Sequence, residues 1–99
     1  MAKIKKVTVT FDEAELTDVV GFKVFYDKLS ISEASPFLTV AVVPTQTAYN
    51  LELPTAIPIT DGTYNLGVVA VDNAGNESDM DVMTRFFDFT PPKKPVWRV

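Results

Sequence analysis

The 99-residue sequence contains no cysteine and no histidine. Without cysteine, no disulfide can support the fold and no thiolate can bind a metal or act as a nucleophile. Without histidine, the commonest general base at neutral pH and the usual zinc ligand are missing as well. A metal would have to be held by oxygen atoms, as calcium and magnesium are. The sequence also lacks a nucleophile elbow, a phosphate-binding loop and a dinucleotide fingerprint. We therefore expect a non-enzymatic protein with no cofactor and no metal.

Positive charge is scarce outside the two ends of the chain. Between residues 7 and 92, three basic residues oppose thirteen acidic ones, so this part carries a net charge of −10, against −4 for the whole chain. Such a body repels nucleic acids and anionic membranes, and no stretch approaches the roughly 20 apolar residues of a membrane-spanning helix. We expect neither nucleic-acid binding nor membrane insertion. Either the charges form a solvated surface, or the basic ends dock on the acidic body of a neighbouring copy.

Alternating apolar residues organise the chain, and the central segment is residues 62–78. In it, Tyr64, Leu66 and Val68 alternate with their neighbours at the period of two that a strand requires. Similar patterns predict further strands at about residues 4–11, 19–27, 37–43, 48–53 and 80–90. Pro36 and Pro44 flank the third of these six strands, which suits an edge position. Short strands separated by turn signals predict one antiparallel β-sandwich over residues 1–90, followed by a Pro- and Lys-rich tail at 91–99.

Three segments resemble the fibronectin type III family, which has an immunoglobulin-like sandwich fold. Residues 62–78, Gly-Thr-Tyr-Asn-Leu-Gly-Val-Val-Ala-Val-Asp-Asn-Ala-Gly-Asn-Glu-Ser, resemble its sixth strand and following loop; residues 7–12 and 20–27 resemble its second and third strands. Phe11 stands where that family usually has tryptophan. The resemblance implies that Tyr64 is a tyrosine corner, whose hydroxyl bonds to the backbone of the preceding crossover. It also implies a core of Phe11, Phe22, Val24, Leu53, Tyr64, Leu66 and Val68.

The same resemblance implies that the family's first strand is short or missing here. Only six residues precede Val7, whereas residues 90–99 look like an inter-module joint followed by the start of a next first strand. A free edge at residues 4–11 would then invite strand addition from a neighbouring copy. The predicted strand-donor tail consists of Val96, Trp97, Arg98 and Val99. The alternative is a loose linker end.

Two other surfaces are candidates for binding. If Phe22, Val24 and Leu66 face the core, then Phe25, Val69 and Val71 face outward. They then form an apolar interaction face, unless loops or the apolar second half of the sixth strand cover them. The acid-rich loop at residues 72–81 has enough oxygen ligands for calcium, but its spacing does not match an EF-hand and turn chemistry accounts for every residue.

The resemblance implies a spacer or protein-interaction module of a larger, secreted or surface-attached protein, and hence an extracellular setting. The first residues do not have the pattern of a signal peptide. We therefore expect either a protein that stays inside the cell or a fragment whose export signal lies elsewhere. The alternative is a carbohydrate-binding or accessory module of a polysaccharide-active enzyme, in which Trp97, the single tryptophan, stacks on a sugar ring.

Overall fold

The computed structural model describes residues 5–12, 18–90 and 92–98. These residues form six strands: β1 (Lys5–Thr10), β2 (Val19–Asp27), β3 (Phe37–Ala41), β4 (Ala48–Leu53), β5 (Gly62–Asp72) and β6 (Asp81–Phe87). The described part of the chain contains no helix, and so none that is long and apolar enough to cross a membrane. The predicted strands are all present; the third and the sixth end earlier than expected.

The strands form two antiparallel sheets, which confirms the predicted all-β sandwich. β1 pairs with β4 in a two-stranded sheet, and the second sheet has the order β3-β2-β5-β6. β3 lies at an edge of the larger sheet, as its flanking prolines predict. The chain therefore crosses from one sheet to the other between β1 and β2, β3 and β4, and β4 and β5.

The core lies between the two sheets and is made of alternate residues from both. Phe22 of β2, Leu53 of β4 and Ile57 of the β4–β5 crossover are fully buried. Phe11, Phe22 and Tyr49 form an aromatic cluster with ring centroids 5.2–6.1 Å apart. The predicted core residues all belong to this layer, although Phe11 and Val68 are only partly buried.

The β4–β5 crossover is fixed to the start of β5 by Tyr64. Its hydroxyl accepts a hydrogen bond from the backbone amide of Thr60 at 3.1 Å and shares another with the Thr60 hydroxyl at 3.0 Å. Ile57 and Ile59 of the same crossover are buried in the core. A buried tyrosine usually finds a partner for its hydroxyl, and here that partner is the segment that closes one end of the sandwich.

The sandwich has two distinct ends. At the tail pole, Gly62 of β5 pairs with Phe87 of β6, and the C-terminal residues leave the body. At the hairpin pole, the loop between Asp72 and Asp81 joins β5 to β6. β1 runs toward the hairpin pole. Phe11, which directly follows β1, packs on Phe22, and Phe22 pairs with Ala70 near the hairpin-pole end of β5. β6 runs the opposite way, toward the tail pole.

Candidate interaction groove

A groove of about 180 Å³ lies between β1 of the small sheet and the β5–β6 side of the large one. Its apolar lining is Val7, Val9, Val24, Leu66, Val68 and Met83, with Thr8 and Thr10 along the rim. Asp81 stands at its hairpin-pole end. The groove is thus lined mainly by apolar side chains, with one carboxylate at its hairpin-pole end.

The groove is open because the two sheets differ in width. Among the described residues, β1 has β4 as its only strand partner, so no strand of the small sheet covers the inner face of β6. As a result Met83 is 38% exposed, although it points to the same side as the buried Leu66, its partner across the ladder. Val68 is likewise only partly buried. On the other flank of the sandwich, Leu38 and Val40 of β3 pack against the core beside β4.

The edge of β1 provides backbone hydrogen-bonding groups beside this apolar groove. A strand with a neighbour on one side presents outward N–H and C=O groups to any extended chain laid alongside. The residues of β1 alternate between Val7 and Val9, which face the core, and Thr8 and Thr10, which are exposed. An extended segment in the groove would gain main-chain hydrogen bonds from this edge and apolar contacts from the floor below it.

The predicted apolar face of the large sheet is corrected by the structure. Phe25 and Val69 do lie on the side of the sheet away from the core, but they are only 8% and 3% exposed, and Val71 is half-buried. The covering side chains come from two loops: a Cβ placed on neighbouring Gly67 would meet the tips of Ile31 and Met80. Of the alternatives weighed above, cover by loops is the one found.

Polar and aromatic contacts close the rest of that face. The Phe37 ring packs on Phe25 with centroids 5.1 Å apart, and the Lys23 ammonium lies 5.0 Å from the Phe37 centroid. Lys23 also forms a 2.6 Å ion pair with Glu77, whose backbone bridges to Val71. The three predicted residues are therefore part of a second, smaller apolar layer. They do not form an open surface.

Sequence reasoning missed the apolar residues that are exposed on β6. Val82 is 52% exposed and Phe86 67% exposed, both on the outer side of the strand, while Met83 opens on the groove side. The apolar residues of β6 were visible in the sequence. What the sequence did not show is that β6 is an edge strand whose inner face is left exposed at Met83, while Phe87 farther along the same face is buried.

The acid-rich loop at the hairpin pole uses its carboxylate for turn geometry. Asp72 accepts hydrogen bonds from the backbone amides of Ala74 and Asn76, at 2.9 and 2.8 Å, and from the Asn76 side chain at 3.0 Å. These bonds, the one from the Asn76 side chain first, lower the pKa of Asp72. The described residues contain no cluster of three or more acidic side chains placed to hold a metal ion.

The predicted strand-donor tail leaves the body as an exposed segment. Residues 92–98 have no regular secondary structure; Val96 is 69% exposed and Trp97 96% exposed. Arg98 is also exposed, and Val99 lies outside the described residues. The molecule measures 66 Å along its longest principal axis and 30 and 17 Å along the other two.

Asp61 fixes the point from which the tail departs. One carboxylate oxygen accepts the Phe89 amide at 2.7 Å, and the other accepts the Thr90 hydroxyl. These two bonds, first the one from Thr90, lower the pKa of Asp61. Phe89 also stacks on Phe87 at a centroid distance of 6.1 Å. The direction of exit is thus set by contacts with the body, whereas residues 92–98 extend beyond them.

No family model, no curated protein and no solved structure matches this chain.

Proposed function

We propose that this protein is a non-catalytic interaction or spacer module of a larger, secreted or surface-attached protein, and that it binds extended polypeptide in the groove beside β1. The observation that carries the proposal is the groove itself: an edge of β1 that no other described strand pairs with, beside an apolar floor that ends at the partly exposed Met83. Strand addition uses these two features together, main-chain hydrogen bonds for affinity and side-chain pockets for selection.

The composition of the groove favours a peptide over a small polar substrate. Asp81 is its only charged lining residue, and the two threonines on the rim are its only other polar side chains. An extended peptide with apolar residues at every second position matches this lining, because its side chains alternate between the floor and solvent. A small polar molecule would find few partners for its hydrogen-bonding groups.

We also propose that the sandwich is of the fibronectin type III kind. The strand order supports this, since the described strands, a β1-β4 sheet facing β3-β2-β5-β6, match that family's second to seventh strands. The Tyr64–Thr60 hydrogen bonds support it as well, because they connect the tyrosine to the crossover just before its strand. On this proposal the groove is the place left by the first strand.

The test is a selection from a random ten-residue peptide library displayed on phage, with the immobilised protein as bait. Enriched peptides should alternate apolar and polar residues. Their binding should be lost in Met83→Glu, which puts a charge on the groove floor, and kept in Val82→Glu, the adjacent residue on the opposite face of β6. Failure to enrich peptides, or binding that is equally affected by both substitutions, would contradict the proposed groove function.

A second candidate function rests on Trp97. Its 96% exposure is unusual for so large an apolar side chain, and a free indole face is suited to stacking on a sugar ring. A carbohydrate-binding module would show quenching or a shift of the Trp97 fluorescence on titration with soluble polysaccharides such as xylan or soluble cellulose derivatives. An unchanged spectrum across such a panel would leave the groove as the better supported site.

A further inference from the structure

We propose that the groove beside β1 receives the C-terminal tail of a second copy of this chain, so that copies join tail to groove. This inference rests on the proposed groove function and names its partner. The donor is residues 95–99; its described part, residues 95–98, is exposed and includes Trp97. The acceptor is the slot between the edge of β1 and Met83.

The direction of the chain favours a second copy over the molecule's own tail. β1 runs from the tail pole to the hairpin pole, so an antiparallel partner strand must enter at the hairpin pole. The tail leaves from the opposite pole, beyond Phe87 and Phe89. To reach its own groove it would have to reverse and then run parallel to β1, whereas the tail of another copy enters in the antiparallel direction without reversing. Antiparallel pairing is also the slightly more stable arrangement per residue.

The side chains of the tail match the groove. In an extended segment Pro95, Trp97 and Val99 lie on one face, and Lys94, Val96 and Arg98 lie on the other. The first face is wholly apolar and fits the floor formed by valines, Leu66 and Met83. The second face carries two cations and would lie toward solvent. Trp97 is then the anchor, the kind of residue that most often dominates interface energies.

Charge at the groove mouth favours the same direction of entry. Lys93 and Lys94 precede the apolar face, so they would lie at the hairpin pole when the tail is docked. That pole carries Asp79 and Asp81, and Asp81 lines the groove. Opposite charges at the point of entry raise the association rate and disfavour the reversed orientation.

The experiment measures the mass of the full chain by sedimentation over a wide range of concentration, together with the Trp97 emission spectrum. We expect the mass to rise from that of one chain to a series of multiples, because donor and acceptor surfaces are different and the contact does not close on itself. Trp97 emission should shift to the blue over the same concentration range as the indole leaves water. The single tryptophan makes this signal specific for the tail.

Four variants locate the contact. Trp97→Glu on the tail and Met83→Glu in the groove should each weaken association at least about tenfold, since each places a charge in the apolar contact. Their controls are Val96→Thr, on the other face of the tail, and Val82→Glu, on the other face of β6; both should associate like the unchanged chain. Circular dichroism of each variant checks that the body is folded.

Three outcomes would overturn the inference: a single-chain mass at every concentration, association without a blue shift, or association that Val82→Glu disrupts and Met83→Glu does not. The last would place the contact on the exposed outer side of β6 around Phe86. If the chain stays monomeric but the library still yields peptides sensitive to Met83→Glu, the groove function stands and self-docking falls.

Discussion

Tyr64 connects the crossover to the core through one oxygen atom. Replacing it by phenylalanine keeps the ring, which is 7% exposed, but leaves the Thr60 amide without its partner. We expect Tyr64→Phe to lower the free energy of unfolding by about 1–2 kcal/mol, the cost of an unsatisfied, partly buried donor. Urea denaturation monitored by circular dichroism measures this.

Tyr26 provides the matched control for that substitution. It packs against the same core, and its hydroxyl makes no hydrogen bond to another described residue. Tyr26→Phe should therefore change the free energy of unfolding by no more than about 0.5 kcal/mol. Equal losses in the two variants would show that the Thr60 bonds contribute nothing measurable.

We expect the contribution of Asp61 to stability to depend on pH. The hydrogen bond from the Thr90 hydroxyl, followed by that from the Phe89 amide, holds its pKa below the ordinary value of 3.8. Because the folded-state pKa is depressed, Asp61 stabilises the fold above pH 3.8, and this contribution is lost as the pH falls through the lowered pKa.

Thermal melts of the unchanged chain and Asp61→Asn, recorded from neutral to strongly acidic pH, test this effect. The variant should melt at a lower temperature at neutral pH, and the difference should shrink as the medium becomes acidic. A difference that is constant with pH would contradict the assignment, because the amide of asparagine does not titrate.

At the scale of elements, two strand glycines differ in what an added side chain would meet: backbone atoms at one position and side-chain atoms at the other. A Cβ at Gly21 of β2 would lie 2.9 Å from the backbone carbonyl oxygen of Val40 in β3, whereas a Cβ at Gly67 of β5 would meet the flexible ends of Met80 and Ile31. We expect both alanine variants to lose about 1–3 kcal/mol of stability, with Gly21→Ala the larger loss.

The reason for that order is that a paired strand cannot withdraw its carbonyl without breaking the ladder, whereas a methionine can change rotamer. Denaturant titrations of both variants give the comparison, and each serves as the control for the other, since the two gain equally from a less flexible unfolded chain. A larger loss for Gly67→Ala would mean that the Ile31–Met80 cover is more rigid than the β2–β3 ladder.

The period of two in apolar residues predicted the strands well where one face of the strand is buried and the other is exposed to solvent. The bounds of β2 and β4 match the prediction, and Tyr49, Leu51 and Leu53 are buried in alternation. In the strand predicted at residues 19–27, a period of two places Val20 on the same face as the buried Phe22, yet Val20 is 47% exposed. A register shift between Val19 and Gly21 interrupts the ladder at this position. β6 ends early because Phe89 and Thr90 bond to Asp61 and leave the ladder.

The interaction surfaces were harder to predict because they depend on contacts between distant parts of the chain. Ile31 and Met80 cover Phe25 and Val69, and nothing in the spacing of those four residues places them together. The groove depends on how far one sheet extends past the other, and period-two patterns carry no information about that. The exposed tail was easier to predict, because its prolines and lysines interrupt the alternation of apolar and polar residues that is typical of a strand.

At the scale of the whole molecule, shape and charge are both uneven along the chain. The Cα radius of gyration is 16.7 Å, above the roughly 13 Å of a compact domain of this length. The excess accords with the tail, which also holds three of the nine basic residues, Lys93, Lys94 and Arg98. The acidic body and the basic tail therefore occupy different regions of one molecule.

The opposite placement of groove and tail gives any assembly a plus end and a minus end. A chain with Met83→Glu can still donate its tail, and one with Trp97→Glu can still accept, so either added in small amounts to the unchanged protein acts as a terminator that shortens the polymer. Mixed with each other alone, the two defective chains should form a one-to-one heterodimer and stop there. If copies dock tail to groove as proposed, the ratio of defective to unchanged chains would set the length of the assembly.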